Sequence, residues 1–293
     1  VYNLTNSFEL SAFDSGTKSN PVTIRGEGAV ITTADTLSYY DFEKVSEKEA
    51  SERLQPKAVG KVLKLDLSKY GIDAGDMPIF ESTFVRGDGF EDVTFFVNDK
   101  EQDVAQYPNG ESNYESWVSV NNTSPDSAKI QVNANHAKKW QSEKFAYFEG
   151  YSGVDYSYEK NNISIDGDLI TLKNTARFDT DPGFSRRYKV KHILAELDKP
   201  GEWYLDRDTN IFYYYPTEDF KENAKIQFSS TKLNIINVLN TDYVNFDGFI
   251  CADWNEEITS ADIVLTHFIS YMNRISDSGK NTRPVYYTRS KTG

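Results

Sequence analysis

The chain has 293 residues, more than a single hydrophobic core usually organises, so a second domain or a long insertion in the first is expected. Its 19 Tyr and 18 Phe against 2 Met give an apolar content of the aromatic kind that suits pleated surfaces and argues against helical bundles. The 32 basic and 45 acidic residues leave a net charge of −13, which repels phosphate backbones and anionic lipid and so speaks against nucleic acid and membrane surfaces as partners.

In residues 1–40 short apolar runs, Val22-Thr23-Ile24 and Ala29-Val30-Ile31, alternate with turns rich in Gly and Ser and read as strands. Ser46 stands three residues before Glu49 as a helix-capping pair, and Val45, Ala50 and Leu54 follow at helical spacing until Pro56, which predicts one helix over 46–54. Strands are predicted around 60–67, 93–98, 116–120, 129–132 and 145–148. Two hairpins follow. Ile163-Ser164-Ile165 and residues 169–172 flank Asp166-Gly167, and the aromatic run 203–206 is joined through Arg207-Asp208-Thr209-Asn210 to Ile211-Phe212-Tyr213-Tyr214-Tyr215.

After Pro216 apolar triplets recur at Ile226-Gln227-Phe228, Val244-Asn245-Phe246, Ile263-Val264-Leu265 and Val285-Tyr286-Tyr287, with first residues 18, 19 and 22 positions apart. That is close to one coil of a solenoid whose short strands stack in parallel.

The segment 200–216, PGEWYLDRDTNIFYYYP, resembles a stretch of bacterial right-handed parallel β-helix repeat proteins that carry an inserted β-sandwich. Segments 14–26, 60–72, 95–109, 138–151 and 243–249 resemble the same proteins in the same order. The resemblance covers roughly residues 10–250. It implies an all-β fold in which a right-handed parallel β-helix starts near the N-terminus, is interrupted by a β-sandwich-like module and resumes near Ile226. The expected parts are 1–59, the solenoid start with one helix; 60–222, the inserted antiparallel module; and 223–293, the first full coils of a truncated solenoid. Members of this group include β-xylosidase-type and fucosidase-type glycoside hydrolases. The implied function is therefore carbohydrate-active, part of a glycoside hydrolase acting on plant or microbial heteropolysaccharide, secreted or at the bacterial cell surface. A non-catalytic glycan-binding module and a structural adhesin are the alternatives, because fold alone carries no chemistry. No signal peptide stands at the start of this chain, which reads as a processed segment. An uncapped C-terminal coil ending in residues 289–293 would favour self-association.

Glycosidic hydrolysis needs two carboxyl groups set across the sugar. Asp253, Glu256 and Glu257, beside Trp254, form the acidic cluster placed where a coil would expose it. Trp254, Trp140, Tyr147, Tyr151 and Tyr156 are candidate platforms for a sugar ring, with core packing as the other reading. His136, His192 and His267 are scattered without metal-ligand spacing, and the single Cys251 has no partner for a disulfide, so no cofactor and no metal site is expected.

Overall fold

The computed structural model describes residues 1–75, 77, 83–84, 93–109, 118–119, 129–151, 158–173, 187–229, 234–238, 240–252, 255–258, 263–266, 269–270 and 287–288. Strands far outnumber helices among them, and the fold class is all-β. The chain divides into two compact units, one made of residues 1–35 and 228–293 and the other of residues 36–227.

The first unit is built from parallel strands. In one sheet the order is Tyr2–Asn3, Val22–Thr32, Val244–Ala252, Ile263–Thr266 and Tyr287–Thr288, with Ile269–Ser270 also pairing with Val244–Ala252. Every pairing in it is parallel. A second parallel sheet runs Phe8–Leu10, Asn234–Val238, Asn255–Ile258. Val244 lies opposite Ile263, Leu265 opposite Tyr287 and Ile236 opposite Glu256, so the chain returns to the same row after roughly twenty residues each time. The triplet centres stack on one another: Asn245 Nδ2 donates to Thr23 Oγ1 at 3.3 Å, while the flanking Val244 and Phe246 are buried. The bonding within the first turn leaves no room for a side chain at Gly16, where a Cβ would lie 2.7 Å from both Tyr243 O and Val22 N.

One expected member of the stack lies elsewhere. Ile226–Ser229 belongs to a four-stranded sheet with Asp35–Leu37, Thr94–Val97 and Lys100–Glu101, and the strand paired with Val244 on its N-terminal side is Val22–Thr32. The physical reason is connectivity. The spatial neighbour of residue 244 was laid down at residue 22, before the second unit's chain begins, so counting backwards from 244 finds the wrong strand.

The second unit holds two larger sheets. An eight-stranded one has the path Gln106–Tyr107, Arg187–Lys191, Tyr147–Tyr151, Tyr158–Asp166, Leu169–Leu172, Lys129–Gln131, with Val118–Ser119 also pairing with Arg187–Lys191 and Thr83–Phe84 with Tyr158–Asp166, and all these pairings are antiparallel. One face packs Trp140, Phe148, Ile130, Ile163, Ile170 and Val190 into a core. A five-stranded sheet runs Asp103–Val104, Glu202–Asp206, Ile211–Tyr214, Leu63–Asp66, Glu43–Lys44. Both hairpins expected from the sequence are present. In the first, Asp166 pairs with Leu169, so the two turn residues are Gly167 and Asp168, with Gly167 at φ 60°. In the second, Trp203 pairs with Tyr214 and Asp206 with Ile211.

The helix is Glu47–Arg53, with Ser46 Oγ accepting from Glu49 N at 3.3 Å. The Glu49 carboxylate serves tertiary structure, taking Lys64 Nζ at 3.0 Å and the Tyr213 hydroxyl. Ala50, with Val45 and Leu54 at its ends, packs against Tyr204, Tyr213 and Tyr215 of the aromatic hairpin. A second, single-turn helix, Ala134–Ala137, is capped by Asn133.

Candidate functional site

In the parallel sheet Phe8–Leu10, Asn234–Val238, Asn255–Ile258, the register sorts residues into rows. Phe8, Ile236 and Glu256 share one row and Glu9, Asn237 and Glu257 the next. Consecutive positions of a strand belong to opposite faces. Ile236 is buried and Glu9 exposed, so Glu257 occupies the row of an exposed residue and Glu256 the row of a buried one. Glu256 and Glu257 therefore stand in adjacent rows of the sheet. The partner that the register offers Glu257 is Glu9, two strands away. At about 4.8 Å between neighbouring strands their backbone positions stand roughly 9.6 Å apart. Glu9 carries a local signal in the sequence, as the one acidic residue between the apolar Phe8 and Leu10, but nothing local links it to residue 257. Asp253 and Trp254 lie outside the described residues, as do Tyr156 and the C-terminal segment 289–293.

The aromatic candidates fall in the second unit. Trp140 is completely buried, its indole Nε1 donates to Glu196 Oε1 at 2.8 Å and Tyr107 packs against its ring, so it offers no face to a sugar and is corrected from platform to core residue. The hydrophobic core claims it because the one-turn helix and the sheet close over it. Tyr147 is 6% exposed and sits opposite Asn162 and Lys191; burial likewise removes it as an open platform. Tyr151 ends the same strand, opposite Tyr158.

Along that strand Tyr147, Glu149 and Tyr151 alternate with the core residue Phe148, and the register sets Glu149 between Lys160 and Lys189. Glu149 and Lys191 form an ion pair at 2.6 Å, and Lys189 Nζ donates to Gln106 Oε1 at 3.3 Å. Burial, then the neighbouring Lys191, push the Lys189 ammonium below the ordinary lysine range, with Glu149 and Asp103 pulling back. Lys160 and Lys189 are both buried, so these charges hold strands together rather than face solvent.

A further polar network binds the helix to the aromatic hairpin. Arg53 reaches Asp206 Oδ2 at 2.8 Å and the Tyr213 hydroxyl at 3.0 Å. Glu143 Oε2 accepts from the Tyr204 hydroxyl at 2.8 Å and its Oε1 from Leu194 N at 3.0 Å. Burial raises the Glu143 carboxyl above its ordinary range, partly offset by those two bonds. His192, in the left-handed region at φ 61°, stacks on Tyr204 with ring centroids 4.6 Å apart. Among the described residues no group of three or more His, Cys, Asp or Glu is arranged to hold a metal ion, and no helix is long and apolar enough to cross a membrane.

Neither a protein-family model nor any curated protein matches the chain. Its structure is similar to a solved structure described as "Glycoside hydrolase", with a TM-score of 0.58 and 16% sequence identity over 86% of this chain. The chain spans 42% of the length of that protein. At this identity the likeness is one of fold.

Proposed function

We propose that this chain is part of a carbohydrate-active protein, a glycoside hydrolase acting on plant or microbial heteropolysaccharide, secreted or displayed at the cell surface. In this reading the first unit is the start of a right-handed parallel β-helix and the second a β-sandwich-like insertion within it. The observation that carries the reading is the fold likeness to a glycoside hydrolase over 86% of the chain. The return of the chain to the same parallel rows after roughly twenty residues supports the solenoid.

The carboxyls we assign to chemistry are Glu257 and Glu9, joined by one row of the parallel sheet, with Asp253 and Glu256 next to Glu257 in sequence and Trp254 as the ring platform. One would protonate the leaving oxygen and the other attack the sugar or activate water.

The test is titration of the chain with hemicellulose oligosaccharides, together with turnover of aryl glycosides and hemicelluloses, for the unaltered chain, Glu9→Gln, Glu257→Gln and Trp254→Ala. Weak binding is expected, weakened further in Trp254→Ala, with a low turnover that falls by about a hundredfold or more in each Gln variant. Binding with equal turnover in all four proteins would remove the carboxyl pair and leave the carbohydrate reading. Failure to bind or cleave any glycan in the panel would end that reading.

A further inference from the structure

We propose that Glu202 is a proton-operated latch on the turn 198–201: neutral, it fastens the turn to the end of its sheet, and ionised, it lets the turn open. Glu202 is completely buried. Its Oε2 accepts from Asp198 N at 3.1 Å and Lys199 N at 3.0 Å, and its Oε1, also buried, has no partner. The turn is otherwise tightly bound. Gly201, at φ 92°, donates from N to Tyr215 O at 2.8 Å, and its carbonyl accepts from Asp103 N at 2.9 Å.

The groups around Glu202 are mainly acidic. Asp103 is its register partner on the parallel strand Asp103–Val104. Asp198 belongs to the turn itself, with a carboxylate 7% exposed that takes Lys57 Nζ at 2.8 Å and the Asn109 side-chain amide. On the other side of the strand Tyr215 N binds Glu202 O at 2.9 Å, and Lys61 Nζ stands 5.8 Å from the Tyr215 ring centroid. Lys199 contributes its backbone N–H. The Lys57 charge is thus held on Asp198, and two carboxylates remain to oppose a third charge at Glu202.

A neutral acid at this place leaves one O–H without a partner; a carboxylate there leaves a buried charge that the two backbone N–H bonds to Oε2 offset only in part. Burial pushes the Glu202 carboxyl up to about 8, helped by the charges of Asp198 and Asp103 and opposed by the backbone bonds from Asp198 and Lys199, which pull it down. When the turn opens, the carboxyl reaches water and returns to the ordinary glutamate range. Opening is therefore coupled to release of one proton between about 4.5 and about 8. Because Asp198 moves with the turn, opening also loosens the bond that holds Asn109 and the pair with Lys57.

The experiment follows hydrogen exchange of the Asp198 and Lys199 amides in the whole chain from pH 5 to pH 9, corrected for the intrinsic rate, with infrared detection of the neutral carboxyl. The protection of both amides is expected to fall about tenfold per pH unit up to about pH 8, and Glu202→Gln to abolish the slope and remove one neutral-carboxyl band at pH 7. Asp103→Asn, which keeps the turn's bonds and removes a like charge, should move the end of the slope to lower pH. Protection independent of pH in the unaltered chain, a slope retained in Glu202→Gln, or no carboxyl band lost would overturn the proposal. Should Glu202→Gln fail to fold, an unshifted profile in Asp103→Asn would overturn it equally.

Discussion

Trp140 and Glu196 meet through a single buried hydrogen bond, indole Nε1–H to Oε1 at 2.8 Å, and His136 Nδ1 stands 2.8 Å from the same oxygen. Burial raises the Glu196 carboxyl, and the bonds from His136 and Trp140 pull it back down. Trp140→Phe keeps an aromatic ring and removes the donor. A loss of about 1–3 kcal/mol is expected, and about 3–5 kcal/mol for Trp140→Ala, which also opens a cavity. Urea denaturation of the two variants separates the polar from the packing contribution. No loss in Trp140→Phe would show that the bond carries nothing.

The Arg53 fork ties the helix to two residues of the aromatic hairpin at once. Arg53→Met keeps much of the side-chain stem and removes both bonds, and a loss of about 2 kcal/mol is expected, the range for bonds to charged groups. Asp206 keeps its Oδ1 contacts to Asp208 N and Thr209 N, which limits the damage. A double-mutant cycle with Tyr213→Phe should give a coupling energy of about 0.5 kcal/mol or more. A coupling of zero would mean that the 3.0 Å contact is incidental.

Two buried groups set opposite pH limits. Burial, and then Arg207, hold His192 at about 3, whereas in the unfolded chain it titrates near 6.5. Over that interval the unfolded state binds the extra proton, so stability rises with pH and is lost as pH falls from about 6.5 to about 3. Glu143 is raised above 4.5 in the folded chain, so its contribution is complete below 4.5 and is lost as pH rises through its folded value. Stability should therefore be greatest in mildly acidic buffer. His192→Asn, a residue that tolerates the left-handed backbone, should flatten the acid limb. Tyr204→Phe, by removing a bond that lowers the Glu143 value, should steepen the other limb. Thermal melts across pH 3–9 decide both, and a profile unchanged in His192→Asn would exclude His192 as the source of acid sensitivity.

Phe246 and Phe8 pack edge to face with ring centroids 6.5 Å apart, yet Phe246 is buried and Phe8 is 43% exposed. Phe246→Ala should cost about 3–5 kcal/mol and Phe8→Ala about 1 kcal/mol, mostly from the aromatic contact. Chemical denaturation resolves the difference, and similar costs would show that the parallel stack is anchored equally at both rings.

Much of the second unit was legible because its signals are local. The Ser46 cap, the turn at Gly167 and the Trp203–Tyr214 pairing each depend on residues within a dozen positions of one another. The triplets Val244-Asn245-Phe246 and Ile263-Val264-Leu265 likewise announced their own pairing through their spacing. The candidate site was less legible. The acidic run near 253–257 stands out by composition, whereas its row partner Glu9 lies at the other end of the chain, and the burial of Trp140 and Tyr147 depends on which face of a sheet the core covers.

The sequence by itself determined the all-β class, the helix start and the hairpin turns, since backbone preference, capping and strand alternation act over a few residues. Only the tertiary structure decided that Val22 lies beside Val244, that Glu256 and Glu257 fall in different rows, and that Glu202 is sealed beside Asp103 and Asp198. Parallel neighbours are joined through long crossovers. Register and burial between distant strands follow from how whole sheets pack, and no local pattern encodes them.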